Sequence, residues 1–365
     1  MLTNPLFIRQ LKYALIISAV ISIITCSYSL NESYDARIIT NDLIEYFEGN
    51  TNENPHGISY YVNNEGKEIP YINDMFEYKI FSIISASSII ISAGIMIFLF
   101  ISYRDEKYKN TASFLYSLPI PREYFYIYKI LCFFIVVTVP IILTAFITKT
   151  TFKPIIISIS PYLNLLEYAS PENFYFELKN DIISELNLFI PNLFLIFAIL
   201  NLLIVISGRI YTAYCIFAGI PLTILAFASG ISNFIDLYLQ NSDIRINIIN
   251  RQFILPTISI SLTQYIEKNV IFNFIISFVL IVIGFFLYKK SKPENLGKLF
   301  TINCFNYILY IAAFLIGGVI FFRIILFKTD LNGSSIFSGI FIMLIGSFLS
   351  LIITKTLISK IINIE

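Results

Sequence analysis

The sequence predicts an all-α polytopic membrane protein of about eight transmembrane helices, with both termini cytoplasmic and a short cytoplasmic helix between the second and third spans. Three observations carry this. Hydrophobic residues make up 57% of the 365 and charged residues only 13%, where a soluble domain carries about 25% charged residues. Mean hydropathy is +0.77. Apolar runs long enough to cross about 30 Å of hydrocarbon, roughly 20 residues each, recur along the whole chain.

The runs cover residues 13–30, 80–102, 130–147, 188–206, 214–231, 270–288, 305–322 and 335–353. The first follows Arg9 and Lys12 as a signal-peptide core would. No small-x-small cleavage pattern follows Tyr28 and Leu30, so it reads as a retained span. Orientation comes from the basic residues. With the N terminus inside, the inner flanks hold 14 of the 25 lysines and arginines, whereas the longer outer segments hold 19 of the 24 acids.

The chain then divides into 1–30, an N-terminal amphipathic segment and first span; 31–77, an extracellular acidic loop or small cap; and 78–148, the second and third spans with the cytoplasmic helix inside 104–125. An extracellular segment, 149–187, leads to the fourth and fifth spans in 188–238, and 239–269 is an extracellular interfacial segment. The last three spans occupy 270–365 around a cytoplasmic loop, 289–304. Within 31–77, ten acids face two basic residues, and SYYVNNEGKEIPYI alternates weakly, as a β-hairpin does; a solvated loop is the simpler alternative. FKPIIISISPYLNLLEYA and NIINRQFILPTISISL each carry an apolar stretch broken by proline. Both are too short to span and suit helices lying in the outer interface.

Tryptophan is absent, and the 24 tyrosines supply the interfacial anchors. Cys26, Cys132, Cys215 and Cys304 fall in or beside spans and read as small apolar fillers. His56 has no ligand spacing around it, so no metal site is expected. Small residues at SASS and SAG, and at GG and GS in the last two spans, allow helix backbones to approach closely.

No GxxxxGK[ST] cradle for nucleotide phosphates occurs, nor HExxH, GxSxG, a Cys/His pair or paired carboxylates within a span. The chain therefore reads as a non-enzyme. Asn192, Asn201 and Asn233 are the polar exceptions in or near spans, with Asn273 and Asn306; they are either pathway residues or partners in interhelical hydrogen bonds.

The most informative stretch is YRDEKYKNTASFLYSLPIPREYFYIYK. Asn110 or Thr111 can cap a short helix with Phe114, Leu115 and Leu118 on one face. Pro119 ends it, since the residue before a proline is pushed out of the helical region. Pro121 suits the first turn of the next helix, which runs through Lys129 into the third span. The product is a stiff elbow with Arg122 and Glu123 at its tip.

SLPIPREYFYIYKIL is similar to the segment, small residue then Leu-Pro-(Ile/Val)-(Ser/Pro)-Arg, aromatic or apolar residues and Lys, that follows the second span in permease subunits of type 2 ATP-binding-cassette exporters. YKKSKPENLGKLF, 288–300, resembles the basic-x-x-Glu-x-x-Gly stretch after an inner span in Gram-positive members. NPLFIRQLKY resembles the family's amphipathic connecting helix. The resemblance implies a coupling helix whose contact residues are Phe114, Leu115, Leu118, Pro119, Ile120, Pro121, Arg122 and Glu123. It implies a second cytoplasmic contact through Lys289, Lys290, Lys292, Glu294 and Gly297. It also implies export of a hydrophobic or amphipathic compound, such as a peptide, drug or lipid-linked precursor, across a bacterial cytoplasmic membrane. A separate ATP-binding-cassette ATPase subunit would hold the ATP and Mg, leaving no cofactor in this chain. The permease would pair as a homodimer or with a related permease, in the lipid bilayer and without nucleic acid. The family core has six spans and short early outer loops, so eight spans and long first outer segments depart from it.

Two other readings compete. A polytopic lipid-linked glycosyltransferase or polymerase would use Asp35, Asp42 or Glu45 of the first outer segment as base or metal ligand. A membrane sensor or immunity protein would sequester ligand at its outer loops without nucleotide turnover.

Overall fold

In the computed structural model, residues 5–49, 60–62, 68–70, 72–107, 121–162, 171–218, 270–291, 304–328 and 336–363 are described. They form seven long helices: α1 (Pro5–Phe47), α2 (Ile72–Lys107), α3 (Arg122–Ile159), α4 (Pro171–Ile206), α5 (Val270–Lys290), α6 (Cys304–Lys328) and α7 (Ile336–Asn363). A further helical stretch covers 210–218. Among the described residues six helices are long and apolar enough to cross a membrane, namely α1 to α5 and α7. In α6 the apolar stretch, Ala313–Phe322, is shorter. Most of the expected span 214–231 lies outside the described residues, as does 239–269.

The chain forms two compact units. The first comprises Met1–Ser102, Ile127–Phe197 and Ile266–Phe274, and the second Tyr103–Tyr126, Ala198–Tyr265 and Ile275–Glu365.

In the first unit, α1 is built inside out. Its buried positions include Phe7, Gln10, Ala14, Ser18, Ile21, Thr25, Ser29, Glu32, Ala36, Thr40 and Leu43. The steps between them run three, four, four and repeat, an 11-residue period that keeps the stripe on one side with only a slight right-handed drift. Ile8, Leu15, Ile16, Val20, Ile23, Ile24 and Leu30 lie on the outside, each roughly half exposed. Water would penalise hiding hydroxyls while showing isoleucine. Hydrocarbon rewards it, because small residues admit close backbones and hydroxyls find partners across helices. Tyr28 meets Ser82 of α2 at 2.7 Å, Ser29 meets Thr148 of α3 at 2.8 Å, and Thr144 of α3 donates to Thr25 at 2.8 Å. Gln10 donates from Nε2 to the Ser102 carbonyl at 3.3 Å.

The same helices outrun the bilayer. The 43 residues of α1 make about 65 Å at 1.5 Å per residue, twice the hydrocarbon thickness. Beyond its apolar run, α1 contributes Ala36 and Leu43 to a core with Met75, Phe76, Ile80 and Ile83 of α2 and Phe152, Ile155, Ile156 and Ile159 of α3. At its edge Lys79 Nζ lies 2.9 Å from Glu32 and 3.5 Å from Asp35. Two expectations are corrected here. Residues 31–47 are helix and not loop, because their 3.6-residue periodicity buries Ser33, Ala36, Thr40 and Leu43. The stretch from Phe152 to Ile159 is likewise a continuation of α3 and not a separate interfacial helix. Pro154 lies inside α3, and Thr148, Thr150 and Thr151 hydroxyls donate to carbonyls of the preceding turns. The weak alternation in 59–72 does form a hairpin: β1 (Tyr60–Val62) pairs antiparallel with β2 (Glu68–Pro70), Tyr61 opposite Ile69.

In the second unit, α6 and α7 meet along a seam of small residues. A Cβ on Gly318 would stand 2.6 Å from the Met343 carbonyl oxygen, and Gly317 abuts Ser350. Ser350 Oγ donates to the Ala313 carbonyl at 2.8 Å.

Phe76→Ala removes a fully buried ring and is expected to cost about 3–5 kcal/mol, read as a lower thermal-unfolding midpoint of detergent-solubilised protein. Tyr78→Ala, at a side chain 70% exposed, is expected to leave that midpoint unchanged.

Candidate functional site

Both flanks of the expected elbow are described, and both belong to the second unit. α2 ends with Arg104 and Lys107 in its last turn, where cations suit the partial negative charge of a helix C terminus. α3 begins after Pro121, whose carbonyl accepts the Tyr124 amide at 3.1 Å. Glu123 sits in its first turn, where an acid is favoured for the converse reason.

Two cations reach from these flanks to the ends of other helices. Lys107 Nζ donates to the Ser207 carbonyl at 2.6 Å, just past the end of α4. Arg122 Nη1 donates to the Ser291 carbonyl at 2.7 Å, just past the end of α5. Each satisfies a carbonyl of the kind that a helix terminus leaves without an intrahelical donor. Beside Arg122, Glu123 Oε1 lies 2.6 Å from Lys289 Nζ. This pair is 37% and 59% exposed, so solvent and salt screen it and it fixes position more than it stabilises.

Behind this rim lies a buried polar chain. Tyr103 of α2 donates its hydroxyl to Asn201 Oδ1 of α4 at 2.7 Å. Asn201 Nδ2 donates to the Tyr126 hydroxyl of α3 at 2.7 Å. Tyr126 in turn donates to the Ile281 carbonyl of α5 at 2.9 Å. All three side chains are at most 1% exposed. Tyr288 of α5 donates to Glu106 Oε2 of α2 at 2.9 Å, with Glu106 6% exposed. The rings pack on one another, Tyr126 against Tyr288 at 5.5 Å and against Phe285 at 5.9 Å between centroids. Tyr103 meets Tyr288 edge-on at 6.4 Å.

Of the expected docking residues, Pro121, Arg122, Glu123, Lys289 and Lys290 are described, and Arg122 and Glu123 are brought against the 289–291 end of α5. Phe114, Leu115, Leu118, Pro119 and Ile120 lie outside the described residues, as do Lys292, Glu294, Gly297 and Asn233. Asn201 uses both ends of its amide in the chain above. Asn192 accepts from Asn273 at 3.3 Å in the first unit.

Sequence reading missed Tyr103, Glu106, Lys107, Tyr126 and Tyr288, treating the tyrosines as interfacial anchors. The signal was present: Arg122 and Tyr126 are four apart and so share a helix face, level with an asparagine in a neighbouring span. It also missed Lys129 of the first unit, buried to 1% exposure where lysine is almost never fully buried unless paired. The acids of the competing enzymatic reading stand along α1. Asp35 and Asp42 are seven residues, roughly 10 Å, apart along the axis, Asp42 and Glu45 are exposed, and Asp35 is held by Lys79. Among the described residues no group of three or more His, Cys, Asp or Glu stands close enough to hold a metal ion.

Comparison with family models, with curated proteins and with solved structures finds no match to this chain.

Asn201→Leu takes from Tyr103 its acceptor and from Tyr126 its donor, and is expected to destabilise by about 1–3 kcal/mol. In a double-mutant cycle with Tyr126→Phe, unfolding of the solubilised protein is expected to show a coupling of about 0.5–3 kcal/mol; strict additivity would mean that the hydroxyl and the amide do not interact.

Proposed function

We propose that this chain is the transmembrane permease subunit of an ATP-binding-cassette exporter of the type 2 class, driven by a separate ATPase docked at its cytoplasmic face. The observation that carries the reading is the meeting of two segments that the sequence singles out separately as docking contacts. Arg122 and Glu123, at the tip of the LPIPRE elbow, hold the Ser291 carbonyl and the Lys289 ammonium. A partner pressing on the elbow therefore presses on the end of α5 as well. The six apolar helices and the inside-out burial of α1 support a multi-pass protein, and the absence of any nucleotide cradle calls for an external source of energy.

On this reading both termini are cytoplasmic, the spans number about eight, and the protein sits in the bacterial cytoplasmic membrane as a homodimer or with a related permease. ATP binding closes the two ATPase subunits and displaces 114–123. That motion needs contacts that differ between the two states, supplied by the apolar residues of the elbow within a charged rim. A path lined by tyrosine and phenylalanine with few ions suits hydrophobic or amphipathic cargo.

The test is to search beside this gene for one that encodes an ATP-binding-cassette ATPase and to co-express the two. The ATPase is expected to co-purify with the unsubstituted chain, and Leu118→Asp or Arg122→Glu is expected to abolish that capture while leaving membrane insertion unchanged. Cargo movement in vesicles by this chain alone, or labelling of residues near Pro119 from the outside of intact cells, would overturn the proposal.

A further inference from the structure

We infer that the Tyr126 hydroxyl is a positioning group that makes the start of α3 and α5 move together; this rests on the permease reading above. The hydrogen-bond chain has one direction. The Tyr126 phenol has a single proton, which goes to the Ile281 carbonyl at 2.9 Å, while its oxygen accepts from Asn201 Nδ2 at 2.7 Å. Asn201 Oδ1 takes the proton of Tyr103. In water such bonds exchange freely, but these side chains are at most 1% exposed, so moving Tyr126 leaves a buried donor and acceptor to be satisfied.

The grip is on backbone. Ile281 offers a main-chain oxygen within α5, and Gly284 admits the ring: a Cβ there would stand 2.5 Å from the Tyr126 hydroxyl oxygen. The phenol thus bears on the helix itself and not on a side chain that can rotate away. A second attachment, Arg122 to the Ser291 carbonyl, lies four residues before Tyr126 on α3 and ten residues beyond Ile281 on α5, about 15 Å along the axis. One attachment would be a pivot. Two, at different heights, oppose rocking of the first turn of α3 against α5. The outer attachment stands beside the solvent-screened Glu123 and Lys289 pair, and the inner one is dry, so the inner one carries the load.

The test uses the full chain with the ATPase that it captures in the co-expression experiment above, in lipid nanodiscs. Cys26, Cys132, Cys215 and Cys304 are replaced by alanine, and a single cysteine at Phe286, which is 57% exposed on α5, carries a bimane label. With Tyr126 intact, ATP plus orthovanadate is expected to change the bimane emission. Tyr126→Phe is expected to shrink that change about fivefold, the factor that one net hydrogen bond is worth, with ATPase capture retained. Gly284→Ala, which displaces the ring without deleting the hydroxyl, is expected to do the same and stands in if Tyr126→Phe does not fold. A full emission change in Tyr126→Phe overturns the inference. Loss of ATPase capture in both variants overturns it too, because the network would then be a requirement of the fold. If the chain with Tyr126 intact captures no ATPase, the permease reading itself fails, and that result is visible before any of these substitutions is made.

Discussion

Lipid supplies no hydrophobic force between helices, since a leucine is as well solvated by acyl chains as by another leucine. Cohesion in this protein must come from close backbone approach and from hydrogen bonds across helices. Several helix pairs show one or both. α1 turns serine, threonine and alanine toward α2 and α3 and leaves isoleucine outside. α6 and α7 meet where glycine faces serine and carbonyl oxygen. The chain is rich in isoleucine and phenylalanine, but those residues mainly satisfy the solvent. The few small and polar ones decide which helix lies against which.

Two solvents act on the same elements. Along α1 the 11-residue stripe changes in character without changing phase. Within the apolar run it includes Thr25 and Ser29, matched by the Thr144 and Thr148 hydroxyls of α3. Beyond it the stripe becomes Ala36 and Leu43, matched by Phe76, Phe152 and Ile156 in an apolar core. Glu32 and Lys79 mark the change. A single helix thus serves both environments because its geometry is indifferent to them, and only the side chains on the buried face need to switch.

The polar chain of the second unit follows the same rule at higher stakes. A buried phenol or amide without a partner is expensive, so four helices contribute groups whose donors and acceptors match one for one: Tyr103, Asn201, Tyr126 and the Ile281 carbonyl. The charged contacts outside it, Arg122, Glu123, Lys107 and Lys289, complete helix ends or face solvent. The arrangement puts rigidity inside and adjustable charge at the rim.

The apolar runs were legible because each depends on residues close in sequence: length against bilayer thickness. The same is true of the start of α3 and of the weak hairpin alternation. The helical course of 31–47 and 152–159 was hidden, since charge and proline outweighed a periodicity whose meaning depends on a neighbour being there to pack against. Asn201 was visible as polar, but its partners come from Tyr103 and Tyr126, 98 and 75 residues away. The sequence by itself determined that the chain is built of several helices long and apolar enough to cross a membrane, six of them among the described residues. Only the tertiary structure decided which hydroxyl answers which amide and which cation closes which helix end, because hydrogen bonds depend on distance and direction in space, and neither is written in the order of residues.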